Sequence, residues 1–90
     1  MDVGEAIRTA KAYVSSVFSD EGLANLRLEE VEFDDAARTW NITLGFSREM
    51  RESLGGLGMV VRRSEPDYKV VRINDSNAKV LSVKNRDPNG

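Results

Sequence analysis

Along residues 40–46 the chain reads Trp-Asn-Ile-Thr-Leu-Gly-Phe, with a large apolar side chain at every second position. A period of two belongs to a β-strand, whose successive side chains point to opposite faces. Trp40, Ile42, Leu44 and Phe46 therefore form one apolar face, and Thr39, Asn41, Thr43 and Gly45 form the other. An apolar face of this kind needs a second layer to cover it.

The covering layer is readable upstream. Val3, Ile7, Ala10, Val14 and Val17 recur at steps of three and four, with Ala6, Tyr13 and Phe18 widening the stripe. Glu5, Arg8, Lys11, Ser15 and Ser16 occupy the opposite side. Asp2 stands three residues before Glu5, the spacing of a capping box with Asp in place of Ser or Thr. Gly22 suits a left-handed helix stop. The pattern predicts a helix over about residues 3–19, lying across a sheet; two heptads are too few for a coiled coil.

Downstream of the helix, Leu26 and Leu28 share one parity, whereas Val31 and Phe33 share the other. Such a slip inside one strand predicts a β-bulge or a strong bend. Residues 34–37 read as a turn joining this strand to the Trp40 strand as a hairpin. Residues 68–73 and 79–84 are two further strands rich in β-formers. The polar segment 74–78 links them, with Asn77 the expected holder of a positive φ. The resulting fold class is α+β: one N-terminal helix on a four-stranded antiparallel sheet, in the order α-β-β-β-β. At 90 residues this is one domain, spanning 1–84, with 85–90 a polar tail expected to fray.

Composition excludes several chemistries. The chain has no Cys and no His. A disulfide framework, a zinc–thiolate site, a thiol nucleophile, an imidazole base and a histidine metal ligand are therefore all ruled out. The acidic group Glu29, Glu30, Glu32, Asp34 and Asp35 lacks the alternating oxygen ligands and central Gly of a calcium loop, so it reads as a solvated edge. Gly55-Gly56-Leu57-Gly58 lacks the spacing of a phosphate-binding loop. A net charge of −2 gives no general reason for binding nucleic acid or an anionic membrane. No window approaches the ~18 apolar residues of a spanning helix. The start of the chain does not read as a signal peptide, and the expected location is cytoplasmic.

Residues 47–66 carry no sustained period and read as a long loop, with a third strand beginning early near Met59 and broken at Pro66. Here Arg48, Arg51, Arg62 and Arg63 accompany Leu54, Leu57 and Met59, a mixture suited to protein contact. The bland alternative pairs these arginines with Glu49, Glu52, Glu65 and Asp67 in solvent.

Three short stretches resemble PepSY-type domains. The opening Gly4-Glu5-Ala6-Ile7-Arg8-Thr9-Ala10 is similar to their helix start. The acidic strand end at 31–35, answered by 38–44 with its Trp40, is similar to their first hairpin. Residues 68–75 with Ala78-Lys79-Val80-Leu81 are similar to their closing hairpin. The resemblance implies a regulatory or inhibitory binding module without catalytic residues, or equally a cytoplasmic domain of unknown role. Ala78 departs from it, standing where the family usually has Gly, so the tight turn is expected to be made differently. The helix-on-sheet layout is also similar to cystatins, whose QxVxG inhibitory loop is absent.

The expected function is thus a non-catalytic interaction module that binds another protein through residues 47–66, with no cofactor and no metal. The alternative is self-association as a homodimer through the sheet's outer face or an exposed edge. An enzyme would depend on carboxylates or on Tyr13 and Tyr68, under a single helix that leaves little room for a pocket.

Overall fold

The computed structural model of the chain describes residues 1–54 and 59–86, with the side chains of 1–48 and 66–86. A helix α1 (Val3–Val17) and a 3₁₀ turn (Ser19–Glu21) precede four strands: β1 (Leu23–Asp34), β2 (Thr39–Leu54), β3 (Met59–Asn74) and β4 (Val80–Asn85). The strands form one sheet in the order β1-β2-β3-β4, with every neighbouring pair antiparallel. This is the α+β layout expected from the sequence. Among the described residues, no helix is long and apolar enough to cross a membrane.

Asp2 caps α1, its Oδ1 accepting the Glu5 N–H at 2.8 Å. The helix stops two residues before the predicted end, and Gly22, at φ 64°, turns the chain into β1. Ala6, Ala10 and Val14 are fully buried, whereas Val3, Val17 and Tyr13 are about half exposed. The buried stripe is therefore narrower than the periodicity suggests. Small side chains at its centre let the helix sit close to the sheet, and its two ends overhang.

The helix covers Ile42, Leu44 and Phe46 of β2 with Val71 and Ile73 of β3, all fully buried. The parity slip in β1 is resolved by irregularities between Ala24 and Arg27 and between Leu28 and Glu30. The second lets Leu28 oppose Leu44 while Val31 opposes Ile42, so both apolar runs serve one face. On the other face Thr39 and Thr43 are 3% and 5% exposed. Arg72 Nε donates to Thr39 Oγ1 at 3.4 Å, and Thr43 lies in register between Glu30 and Val70.

Trp40 differs from its three companions in being only partly buried. Its ring meets Phe33 edge-on at 4.8 Å, and its Nε1–H donates to Asp75 Oδ1 at 2.9 Å. Asp75 also faces the Met1 amino group and Arg38 Nη2, each at 3.6 Å. The Trp40 hydrogen bond first, then these positive charges, hold the Asp75 carboxyl below its ordinary pKa. Trp40 is thus a clamp at one end of the core.

The closing turn corrects a second expectation. Asn77 accepts the Lys79 N–H through Oδ1 at 2.9 Å, and Ala78 holds the positive φ, at 60°. Asn74 Oδ1 takes the Ser76 and Asn77 N–H groups, which leaves the left-handed step to the following residue. Asn85, assigned to the tail by sequence, ends β4, and the Arg86 N–H donates to the Tyr68 carbonyl at 3.1 Å. The rest of that tail, 87–90, lies outside the described residues.

The largest correction concerns 47–66. The backbones of β2 and β3 pair without a register shift from Thr39↔Asn74 to Leu54↔Met59, so what reads as a loop is the outer half of a long hairpin. Residues 47–66 show no apolar alternation, the signal that reveals a strand in sequence, so their pairing was not readable there. Pro66 is accommodated because, among the described residues, β3 at that point pairs only with β2.

Candidate interaction surface

Pairing of β1 with β2 begins at Leu23↔Arg48, and pairing of β4 with β3 begins at Asn85↔Lys69. Beyond those rungs and the bond from the Arg86 N–H to the Tyr68 carbonyl, among the described residues, the backbones of β2 and β3 pair only with each other. Sixteen residues at ~3.3 Å each make a strand of about 53 Å. The longest principal extent is 56 Å, against 27 and 17 Å for the others. The hairpin therefore projects as an arm from a four-stranded body.

Arg48 marks the arm's root. Its guanidinium lies 5.8 Å from the Phe18 ring centre and 5.9 Å from that of Phe46. It meets Asp67 at 2.9 Å and Glu21 at 3.6 Å. Arg48 Nε is buried without a hydrogen-bond partner among the described residues. Lys69, 9% exposed, lies below it with its Nζ 5.4 Å from the Phe18 ring centre and 3.7 Å from Asp67, and donates to Asn85 Oδ1. Two cations, two carboxylates and two rings thus seal the core where the helix ends and the arm begins. Arg48 matches the bland reading of the sequence by pairing with Asp67. Lys69 shares the parity of the buried Val71 and Ile73, so a charged residue on the dry face was a readable but unused signal in the sequence.

The other candidate residues take register positions in the arm. Arg51 opposes Arg62, Leu54 opposes Met59, and Arg63 opposes Met50. Their side chains, and Leu57 entirely, lie outside the described residues. The pairing gathers Arg51, Leu54, Met59, Arg62 and Arg63 on one short ribbon and separates them from Arg48 at its root. Over 48–63, four arginines against Glu49 and Glu52 leave a charge of +2 in a chain whose total is −2.

The sheet's outer face holds a shallow trough of about 510 Å³. Glu30 and Glu32 of β1 line one side, Lys84 and Arg86 the other, with Asn41, Thr43 and Val70 on its floor. Arg86 reaches Glu30 at 3.9 Å, and both side chains are about half exposed. The carboxylates lack the enclosure that acid–base work by paired carboxylates requires. Beside the trough, Arg27 Nε donates to Glu29 at 2.5 Å, and the pair lies over Gly45, where a Cβ would stand 2.8 Å from Glu29 Oε1. Asp34 accepts the Ala37 N–H at 3.1 Å, and Asp35 meets Arg38 at 3.4 Å. Most of the acidic run is therefore engaged locally. Among the described residues, no group of three or more Asp or Glu is placed to hold a metal ion.

No known protein family, curated protein or solved structure matches this chain.

Proposed function

We propose that the chain is a non-catalytic interaction module that contacts another protein through the β2–β3 arm. One observation carries this reading: the hairpin continues for six rungs beyond the last β1–β2 rung, although an isolated two-stranded ribbon contributes little to stability. A paired extension that runs beyond the four-stranded body is suited to use elsewhere. The arginine, Met and Leu content of 48–63 supports the same use. The PepSY-like stretches support a regulatory or inhibitory role rather than a catalytic one, and the same proposal sets the protein in the cytoplasm, without nucleic acid or membrane as partner.

The test is to replace residues 49–64 by Asn-Gly, a two-residue turn between the register partners Arg48 and Glu65. The shortened chain should keep its far-UV spectrum and Trp40 fluorescence while losing proteins captured by the full chain from the lysate of its native cell. Undiminished capture by the shortened chain overturns the reading.

A further inference from the structure

Among the described residues, two edges of the four-stranded body are open, the outer sides of β1 and β4. Each has one regular stretch. In β1 it is 30–34, past the second irregularity. In β4 it is 82–85 with Arg86, past Leu81, which the ladder with β3 skips. The two stretches carry opposite charge. Glu30, Glu32 and Asp34 reach the outer face from β1, and Lys84 and Arg86 reach it from β4. Glu32 and Lys84 are exposed, and among the described residues neither has an ion-pair partner.

Backbone direction limits how such edges meet. In an antiparallel ladder, successive residues point their N–H and C=O groups to alternate sides. The Arg86 N–H donates to the Tyr68 carbonyl, so residues 82, 84 and 86 point toward β3, and Val83 and Asn85 point outward. The Asp75 N–H donates to the Arg38 carbonyl, so Trp40 and Ile42 of β2 point toward β3. Thr39, Asn41 and Thr43 then point toward their β1 partners Asp34, Glu32 and Glu30, which leaves Val31 and Phe33 pointing outward. A second copy's β1 fits β4 where these outward residues meet. Phe33 opposite Val83 and Val31 opposite Asn85 are such pairs, both on the helix side of the sheet. The same register sets Glu30 opposite Arg86, Glu32 opposite Lys84 and Asp34 opposite Ser82, all on the outer face, where directly opposed unlike charges attract. A shift of two residues one way keeps a single charge pair, and a shift the other way carries Val83 past the end of β1. Pairing β1 with β1 about any centre from 30 to 34 opposes acid to acid.

We infer that β4 of one copy pairs with β1 of the next in this register, so that copies add head to tail into one continuous antiparallel sheet. The contact is heterologous and leaves a free β1 at one end and a free β4 at the other. Copies repeat every four strands, about 19 Å at the usual strand spacing. α1 packs against β1, β2 and β3 and is ~10–12 Å wide, so the helices of neighbouring copies stand clear of one another. This surface is separate from the arm. Five rungs make a small interface, so association is weak, with a Kd on the order of 100 µM.

Sedimentation equilibrium over a range of concentrations tests it. The average mass of the full chain should rise with concentration past that of a dimer, and the chain shortened at 49–64 should behave alike. Lys84→Glu sets Glu against Glu32 at every contact, and Glu32→Lys sets Lys against Lys84. Each variant should associate roughly fivefold more weakly than the unaltered chain. Mixed, the two variants alternate, every contact again joins unlike charges, and the original strength should return. Unchanged far-UV spectra establish that both variants fold. A full chain that is monomeric at about 1 mM overturns the inference, as does growth that stops at a dimer. So does indifference to the swaps, or a mixture that associates no better than either variant alone. Association lost on shortening overturns it as well, and assigns the self-contact to the arm.

Discussion

β2 is one uninterrupted strand with two environments. Over residues 39–48 it lies between β1 and β3 beneath α1, and it supplies the three largest fully buried side chains, Phe46, Ile42 and Leu44. Over 49–54 it keeps the same ladder with β3 and, among the described residues, no longer pairs with β1. The ladder with β3 is alike in the two halves, while among the described residues only the inner half also pairs with β1 on its other edge. Regular pairing therefore does not mark stability along this strand. The body should open only with global unfolding, and the arm should open locally at lower free energy.

The strongest way to break this contrast is Phe46→Ala, which empties the end of the core against Phe18 and should cost about 3–5 kcal/mol. In amide exchange it should speed residues 40–46 by the full loss of global stability and leave 49–54 unchanged. If both stretches accelerate equally, the arm is part of the cooperative body.

A smaller effect sharpens the contrast through pH. The Asp75 carboxyl is held below its ordinary pKa, so its stabilising contribution is present above the unfolded value and is lost as pH falls through the folded one. Between neutral pH and about pH 3 the unaltered chain should lose more stability than Asp75→Asn, read as the difference in urea midpoints. Exchange in the arm should show no such difference. Identical pH dependence in the two chains would remove Asp75 from the clamp on Trp40.

The smallest change is a gain. Ala78 occupies a left-handed conformation at φ 60°, which costs an L-residue on the order of 1 kcal/mol and costs glycine little. Ala78→Gly should raise the thermal midpoint by about 4–8 °C for each kcal/mol recovered. A fall in the midpoint would show that the methyl group contributes more by packing than the backbone loses by strain.

The legible parts of the fold were those with one wet and one dry face. Alternation at 40–46 and the helical stripe at 3–17 each require such a boundary, and the parity slip between Leu28 and Val31 betrayed the bulge for the same reason. The arm was illegible as a strand because its sequence carries no apolar alternation, and backbone pairing alone leaves no mark on side-chain order. Of the candidate surface, the residues were legible from their chemistry and their pairing was not. The Trp40–Asp75 bond was hidden by separation: its partners stand 35 positions apart, and residues 74–78 read only as a turn.

The continuity of the long hairpin also has a mechanical meaning. A partner that pulls on the arm along its length draws β2 and β3 in the same direction, so the ladder between them is not sheared. The force falls on the rungs that tie this pair to β1 and β4, which run parallel to the pull and are strained together rather than one after another. Peeling is closed to such a load, and the grip of the Arg48 and Lys69 cluster lies directly in its path.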